Sequence, residues 1–241
     1  MKTEDDTLAN YCEALGDNFG RKLRLLELHL FQLRSCWRVY DGLFGLNEER
    51  FKLIHSASNL VAGVLELTLY EHLHVQIRRL IHPSKRKGVR AVVLKDFFSF
   101  AKAHDDRELK EHLTYADAQT KFAVEWVSKK IAHNDPTLIE KSVTLPASSR
   151  AGVVDAIDAC AKVIEHIHSK YLDTTLITHP VVGAHDETRF MQVLFEGVKK
   201  LEEKEEMSRK LSRSGDYESQ NSIYVYPEWL KSNHETVFDI E

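Results

Sequence analysis

The sequence predicts an all-α protein: a helical bundle with two long N-terminal helices, followed by a C-terminal helix and an irregular tail. Three observations predict this class. The chain has only 10 glycines and 5 prolines in 241 residues, so residues that interrupt helices are scarce. Apolar residues recur every three or four positions through most of the chain, which is the spacing of one helix face. Helix-capping residues stand where several of these runs begin.

The individual helices follow from this periodicity and from its interruptions. The first long helix is expected within residues 4–43. Asn47 is an N-cap candidate for the second, which is expected over residues 51–81 and ends before Pro83. Further helices are expected at 91–103, 105–135, 146–173 (capped by Ser148 or Ser149) and 187–211.

The chain is predicted to comprise two parts. Residues 1–175 form the helical bundle, and residues 176–241 form a C-terminal helix and a partly irregular arm. The arm contains "SIYVY" (222–226), which is β-like, and its aromatic residues either pack on the bundle or stack on nucleic-acid bases. These residues are Tyr224, Tyr226 and Trp229.

Composition excludes several classes of protein. The net charge of −4 provides no overall positive field, so any contact with RNA requires a local basic patch. The three cysteines are an odd number and far apart, which is typical of reduced thiols in a cytoplasmic protein. The N-terminus "MKTEDDTLAN" does not have the character of a signal peptide, and no run approaches the roughly 20 apolar residues of a membrane span. There is no glycine-rich phosphate loop or zinc-type pair of cysteines, and no cofactor is expected.

The stretch "SKKIAHNDP" (residues 128–136) contains the chemistry that stands out most. A histidine near the negative end of a helix can exchange protons around neutral pH, and a neighbouring ammonium can stabilise negative charge on a phosphate. Metal-free RNA cleavage by attack of the ribose 2′-OH needs this pair of groups. We expect His133 to transfer protons, Lys129 and Lys130 to stabilise charge, and Asn134 and Asp135 to orient the imidazole or the ribose. The same letters also describe an ordinary helix end, and the two interpretations stay open.

Two further groups are candidates for binding. A polar stripe on the second long helix and the basic loop after it are candidates for contacting RNA phosphates, although a solvated helix face and an exposed loop explain them equally. The candidate RNA-binding residues are Arg78, Arg79, Lys85, Arg86 and Lys87.

A metal site is the other alternative. Two Glu-x-x-His pairs on different helices, with glutamates from two more, can build a di-iron or di-manganese centre in a bundle. The pairs are Glu71 with His74 and Glu165 with His168, and the additional glutamates are Glu27 and one of Glu108, Glu111 or Glu125.

The motif "KKIAHND" (129–135) resembles the HEPN superfamily signature, an arginine followed after four to six residues by histidine. The junction "YDGLFGLNEERFKLI" (40–54) and the element "RRLIHPSKRKG" (78–88) resemble the abortive-infection, AbiU-like branch of that superfamily. The resemblance covers about residues 8–170. The family arginine falls at position 127 or 128, where this chain has Val127 and Ser128, so Lys129, Lys130, Arg78 or Arg79 would have to replace it.

The resemblance implies a HEPN-like bundle that acts as a homodimer, with both His133 sites facing one cleft, and a toxin-like role in antiviral defence with an antitoxin or defence-system partner. Three hypotheses follow: a HEPN-type ribonuclease, a catalytically silent HEPN module that binds RNA or a protein, and a di-metal bundle.

Overall fold

The computed structural model describes residues 4–83, 85–86, 89–132, 145–179, 186–227 and 230. Within them the regular elements are all helical apart from one hairpin of two-residue strands, which confirms the predicted all-α class. The chain divides into two compact units, Met1–Thr188 and Arg189–Glu241. The domain boundary expected after residue 175 stays a prediction.

The elements of the described residues are as follows. The α-helices are α1 Glu4–Leu15, α2 Asp17–Tyr40, α3 Glu48–Ala57, α4 Asn59–Ile81, α5 Phe97–Ala103, α6 Arg107–Gln119, α7 Lys121–Trp126, α8 Arg150–Tyr171, α9 Asp186–Ser214 and α10 Tyr217–Ser222. A first π-turn spans Asp41–Gly45, a second π-turn spans Val127–Ile131, and a 3-10 helix spans Leu94–Asp96. Strands β1 Lys85–Arg86 and β2 Val89–Arg90 pair antiparallel. None of the helices in this part of the chain combines the length and apolarity needed to cross a bilayer.

The first predicted helix is interrupted at Gly16. Its φ of 80° lies in the left-handed region, which glycine adopts without strain, so α1 ends there and packs against the start of α2. The contact is close: a Cβ on Gly20 would lie 2.5 Å from the backbone nitrogen of Cys12. The expectation of one long helix was therefore wrong in this respect, although the helical residues themselves are confirmed.

The second long helix is also divided. Asn47 caps α3 as predicted, accepting a hydrogen bond from the backbone N–H of Arg50 at 2.9 Å. Ser58 is extended (φ −165°, ψ 106°) and separates α3 from α4. Helix α4 ends at Ile81, two residues before Pro83, because proline disfavours helical geometry in the residue before it.

The core lies where α2, α4, α6 and α8 meet: α2 packs on α4 and α8, and α6 packs on α8. Each fully buried leucine or isoleucine contributes about 1.5–3 kcal/mol to folding. The central residues include Leu23, Leu26, Leu30, Leu33, Leu73, Ile77, Leu80, Leu109, Leu113, Ile157 and Ile164. The four from α2 recur three or four residues apart, which is the spacing from which this helix was predicted.

In the second unit, α10 folds back along α9. Gln220 Nε2 donates to Ser208 Oγ at 3.1 Å, and the Lys204 ammonium lies 5.1 Å from the centre of the Tyr226 ring. The β-like expectation for "SIYVY" was wrong, because Ser222 ends α10 and Tyr224 lies in the turn that follows. Trp229 lies outside the described residues.

Candidate functional site

The second π-turn lies directly before the histidine of the motif. It follows α7 and closes with a hydrogen bond from the Ala132 N–H to the Val127 carbonyl at 2.8 Å, a five-residue spacing instead of the four of an α-helix. Single π-turns within helices occur frequently at functional sites. His133, Asn134 and Asp135 lie outside the described residues, so their expected roles stay predictions.

Both lysines of the motif have partners. The Lys129 ammonium lies 3.4 Å from a carboxylate oxygen of Glu125, an exposed pair that contributes little and separates easily. The Lys130 ammonium lies 4.6 Å from the centre of the Trp126 ring. Positive charge is thus present on the second π-turn, but it is not fixed by buried contacts.

His74 of α4 is buried beneath α7. Its Nδ1–H donates to the Tyr70 carbonyl at 2.7 Å, so Nε2 accepts from the hydroxyl of Ser148, also at 2.7 Å. Its ring stacks on Trp126, with the ring centres 5.2 Å apart. Burial lowers the pKa of His74, the Tyr70 carbonyl and Glu71 oppose this, and Lys130 lowers it further. His74 is therefore a neutral structural side chain near neutral pH.

The contacts of His74 hold residues 145–149, which we call the return segment because they come back to α4 after the motif. Tyr70 donates its hydroxyl to the Ser148 carbonyl at 2.9 Å, and Trp126 Nε1–H donates to the Pro146 carbonyl at 2.9 Å. Ser149 then caps α8, accepting from the Gly152 N–H at 3.0 Å, as the sequence predicted. The stretch from 133 to 144 is thus flanked on both sides by segments attached to α4 and α7.

The junction at residues 40–54 contacts the same part of the structure. The rings of Tyr40 and Tyr70 are 5.4 Å apart, and Arg150 donates to the Phe44 carbonyl at 2.8 Å. The first π-turn, the middle of α4 and the return segment therefore form one continuous set of contacts. The start of the junction at 40–54 therefore lies next to the return segment.

Arg78 and Arg79 face different neighbours. Arg78 follows His74 by four residues, so it lies on the α4 face that packs against α7 and the second π-turn. Its Nε atom is buried and has no hydrogen-bond partner among the described residues. Arg79 is exposed, and its charge acts on His29 of α2. Of the two arginines, Arg78 is the one on the side of the motif.

The basic loop is partly described. Lys85 pairs with Arg90 and Arg86 with Val89 in the hairpin. The Arg90 guanidinium lies 2.7 Å from the Asp96 carboxylate. Lys87 lies outside the described residues, and the expected phosphate contacts of this loop stay a prediction.

The structure brings Glu27 and His168 of the di-metal alternative into contact, whereas His74 and Glu165 form other hydrogen bonds. His74 is bonded as above, and Glu165 accepts from the Thr178 hydroxyl at 2.9 Å. His168 Nε2 lies 2.9 Å from a Glu27 carboxylate oxygen, and His168 Nδ1 lies 3.0 Å from the Thr174 hydroxyl. Among the described residues, the group of side chains spaced for an ion is a different one: Glu108, His112 and His166. The structure adds no support for a metal site at the four predicted residues.

A family model described as AbiU2, of the HEPN class, matches residues 16–190. The chain belongs to the AbiU2 family of HEPN proteins. This confirms the resemblance inferred from the sequence and makes the matched region an abortive-infection HEPN domain. No curated protein and no solved structure matches the chain.

This AbiU2 chain lacks a cation at the expected positions of the family arginine. Val127 is 2% exposed and belongs to the core, and Ser128 is half-buried. A guanidinium cannot replace Val127 without disturbing the packing of the second π-turn. The candidate replacements on the described elements are Lys129 and Lys130 on the second π-turn and Arg78 on the α4 face next to it.

Two features of the site were not found from the sequence. Ser148 is a partner of His74 and Tyr70 across more than 70 residues of chain, a distance at which no local pattern predicts a contact. The second π-turn has no composition signal, because it depends on how α7 packs on α4. That Arg78 and Arg79 face different neighbours could have been predicted from the sequence, since consecutive residues on a helix point in different directions.

Proposed function

We propose that this AbiU2 protein is a metal-independent endoribonuclease of an abortive-infection system. His133 transfers protons as the ribose 2′-OH attacks the adjacent phosphate, and Arg78 stabilises the charge that develops on it. The observation that supports this most strongly is Arg78: it packs on the side of the second π-turn, and its Nε is buried without a hydrogen-bond partner among the described residues. The rest of this half-buried guanidinium can donate to a phosphate in charge-assisted hydrogen bonds.

The positive charges have separate roles in this proposal. A guanidinium can hold two phosphate oxygens at once, which an ammonium cannot, so Arg78 replaces the missing family arginine. Lys129 and Lys130 belong to weak, exposed interactions and add attraction for the RNA backbone. In this proposal Lys85, Arg86 and Lys87, the basic residues that follow α4 in the sequence, add to the same attraction.

The second candidate function is a silent HEPN module that binds RNA or a protein partner without cutting. The specific observation in its favour is the core position of Val127, which leaves the family arginine position without charge. In that case Arg78 holds a phosphate or the backbone of a partner, and His133 has no chemical role.

The family also suggests assembly into dimers, and α4 presents a surface that fits this. Its first half exposes five large apolar side chains, which we call the apolar patch: Leu60, Val61, Val64, Leu65 and Leu67. Exposed apolar clusters of this kind mark protein–protein contacts. We propose that a second copy of the chain covers the patch, and that the dimer acts in the cytoplasm under the control of an antitoxin or another defence-system protein.

Digestion of RNA in the presence of a chelator tests the proposal. We expect the wild type to cut RNA in excess EDTA and His133→Ala to be slower by about 100-fold or more, as loss of a general acid–base group requires. His82→Ala, which removes an exposed histidine at the end of α4, is the matched control and retains full activity. If the wild type, His133→Ala and His82→Ala all bind RNA without cutting it, the ribonuclease proposal is wrong and the silent HEPN module is the better interpretation.

A further inference from the structure

Glu108, His112 and His166 lie together on the surface where α6 meets α8. Each offers one ligand atom, and these atoms all lie within 4.8 Å of one another. One carboxylate oxygen of Glu108 lies 3.7 Å from His112 Nε2 and also 3.7 Å from His166 Nδ1. Both distances exceed a hydrogen bond, so the three groups surround a space without closing it.

We propose that these three side chains bind a divalent transition-metal ion of the Zn²⁺ class, and that the ion clamps α6 to α8. Two imidazoles and one carboxylate are a ligand set that Zn²⁺, Co²⁺ and Ni²⁺ accept, whereas Mg²⁺ and Ca²⁺ require more oxygen ligands. Ligand atoms around tetrahedral Zn²⁺ lie about 3.3 Å apart, given bonds of about 2.0–2.1 Å. The observed separations of 3.7 Å, and of 4.8 Å at most, exceed that spacing, so binding an ion requires the ligands to move closer together.

The strongest support comes from the residue behind His166. Its Nε2–H donates to the Asp106 carboxylate at 3.0 Å, which fixes the ring and leaves the lone pair of Nδ1 directed towards Glu108. Metal-binding histidines in proteins almost always donate their second ring N–H in this way, to a carboxylate or carbonyl. Asp106 is buried and is itself held by the Leu109 N–H at 3.0 Å and the Tyr171 hydroxyl at 2.8 Å.

The other two ligands are placed by helix geometry. Glu108 and His112 are four residues apart on α6, so they lie on one face. The exposed fractions of the side chains rise from 9% for His166 to 29% for His112 and 66% for Glu108. The rigid ligand is therefore buried and the adjustable ones face solvent, so an ion can enter and water can complete its coordination.

This site uses α6 and α8, whereas the motif is associated with α4 and α7, and its existence does not depend on the proposed ribonuclease.

Binding to untagged, chelator-stripped protein tests the inference, with Zn²⁺ itself as the probe. We expect one Zn²⁺ per chain by calorimetry, and a rise in melting temperature of about 5–10 °C at 100 times the dissociation constant. Mg²⁺ at the same concentration gives no rise. Co²⁺ gives the visible absorption of a nitrogen- and oxygen-bound ion.

Variants identify the ligands. His112→Ala and Glu108→Gln change partly exposed side chains, fold normally, and weaken Zn²⁺ binding by at least about 10-fold, since losing even an outer partner of a metal ligand costs that much. The matched controls are Glu111→Gln on the same helix and His82→Ala, which bind as the wild type does. Equal Zn²⁺ binding by the double variant Glu108→Gln/His112→Ala, or no rise in melting temperature of the wild type, would overturn the proposal.

Discussion

Ser148 Oγ lies 2.7 Å from His74 Nε2, and this contact attaches the return segment to α4 beneath the Trp126 ring. The hydrogen bond joins the chain that follows the motif to the helix that carries Arg78. Because the imidazole is buried and both its nitrogens are bonded, it acts as a structural connection between these two parts of the site.

Replacing this imidazole should destabilise the whole domain. We expect His74→Ala to reduce the free energy of unfolding by about 2–4 kcal/mol, because it leaves a cavity against Trp126 and removes the hydrogen bond between the imidazole and the Ser148 hydroxyl. Tyr70→Phe removes only one hydroxyl from the same network and should cost about 1 kcal/mol. Urea unfolding measures both. If His74→Ala is as stable as His82→Ala, the network does not hold the return segment.

The contact between α1 and α2 leads to a prediction about Gly20. A methyl group there would lie 2.6 Å from the Tyr11 carbonyl oxygen, so the two helices would have to separate. We expect Gly20→Ala to cost about 2–4 kcal/mol in thermal or urea unfolding.

Gly197→Ala is the control for this substitution. Gly197 lies inside α9, and beyond its own stretch of helix backbone the described residues place no heavy atom within 4 Å of the added carbon, so alanine should leave stability unchanged or raise it by up to about 1 kcal/mol. Equal effects of the two substitutions would show that α1 does not pack on α2 through Gly20.

The sequence predicted much of this fold because the signals for helices are local. The caps at Asn47 and Ser149 and the buried leucines of α2 are each readable within a few residues. The divisions at Gly16 and Ser58 were missed, because a single glycine or serine is tolerated inside a helix and only packing against α1 or α3 decides that the chain turns there.

The candidate site was less predictable, because it depends on packing between distant segments and not on local signals. The residue types of the motif are visible in the sequence, but the groups around it come from distant segments. His74 suggested a metal ligand by its spacing from Glu71, yet its position beneath α7 makes it a hydrogen-bonded core residue. His166 is recognisable as a candidate metal ligand only from the structure, which shows its hydrogen bond to Asp106.

The polar contact between α2 and α4 should make stability depend on pH. His29 hydrogen-bonds to Gln76, whose amide nitrogen lies 2.8 Å from His72 Nε2. Burial lowers the pKa of His29 below its usual 6.5; Gln76 opposes this, and Arg79 and His72 lower it further. The unfolded chain therefore takes up a proton at this residue first, as the pH falls through 6.5.

The contribution of neutral His29 is thus complete above that pH and declines below it. We expect the stability advantage of wild type over His29→Gln to shrink between about pH 7.5 and about pH 5.5 in urea unfolding. His82→Gln, which replaces an exposed histidine outside this contact, is the control for the substitution itself. A growing advantage at the lower pH would mean that His29 is favoured in its charged form.

Arg78 and Arg79 provide a matched pair for the proposed ribonuclease. We expect Arg78→Ala to slow RNA cleavage by about 100-fold, the usual cost of removing a group that stabilises transition-state charge. Arg78→Lys should recover only part of the rate, because an ammonium lacks the paired donors of guanidinium. Arg79→Ala should retain nearly full activity, since Arg79 faces α2.

Melting temperatures of these variants separate lost activity from lost folding. A larger effect of Arg79→Ala than of Arg78→Ala would move the charge-stabilising role to the other face of α4. Unchanged cleavage in both would exclude the two arginines from the reaction.

The apolar patch of α4 makes the proposed dimer testable. Leu60 is 78% exposed and Val64 is 56% exposed, and the patch lies on the same helix as His74 and Arg78. A carboxylate placed at its centre would be buried without a partner in the dimer. We therefore expect Val64→Glu to weaken dimerisation by at least about 100-fold, which corresponds to about 2.7 kcal/mol.

Light scattering during size-exclusion chromatography measures the mass of each variant in solution. Tyr115→Glu, at an exposed position on α6, is the control and should stay dimeric. If Val64→Glu is monomeric and also loses RNA cleavage while its melting temperature is unchanged, each active site requires both chains. A monomeric wild type, or a Val64→Glu protein that stays dimeric, would exclude the patch as the interface.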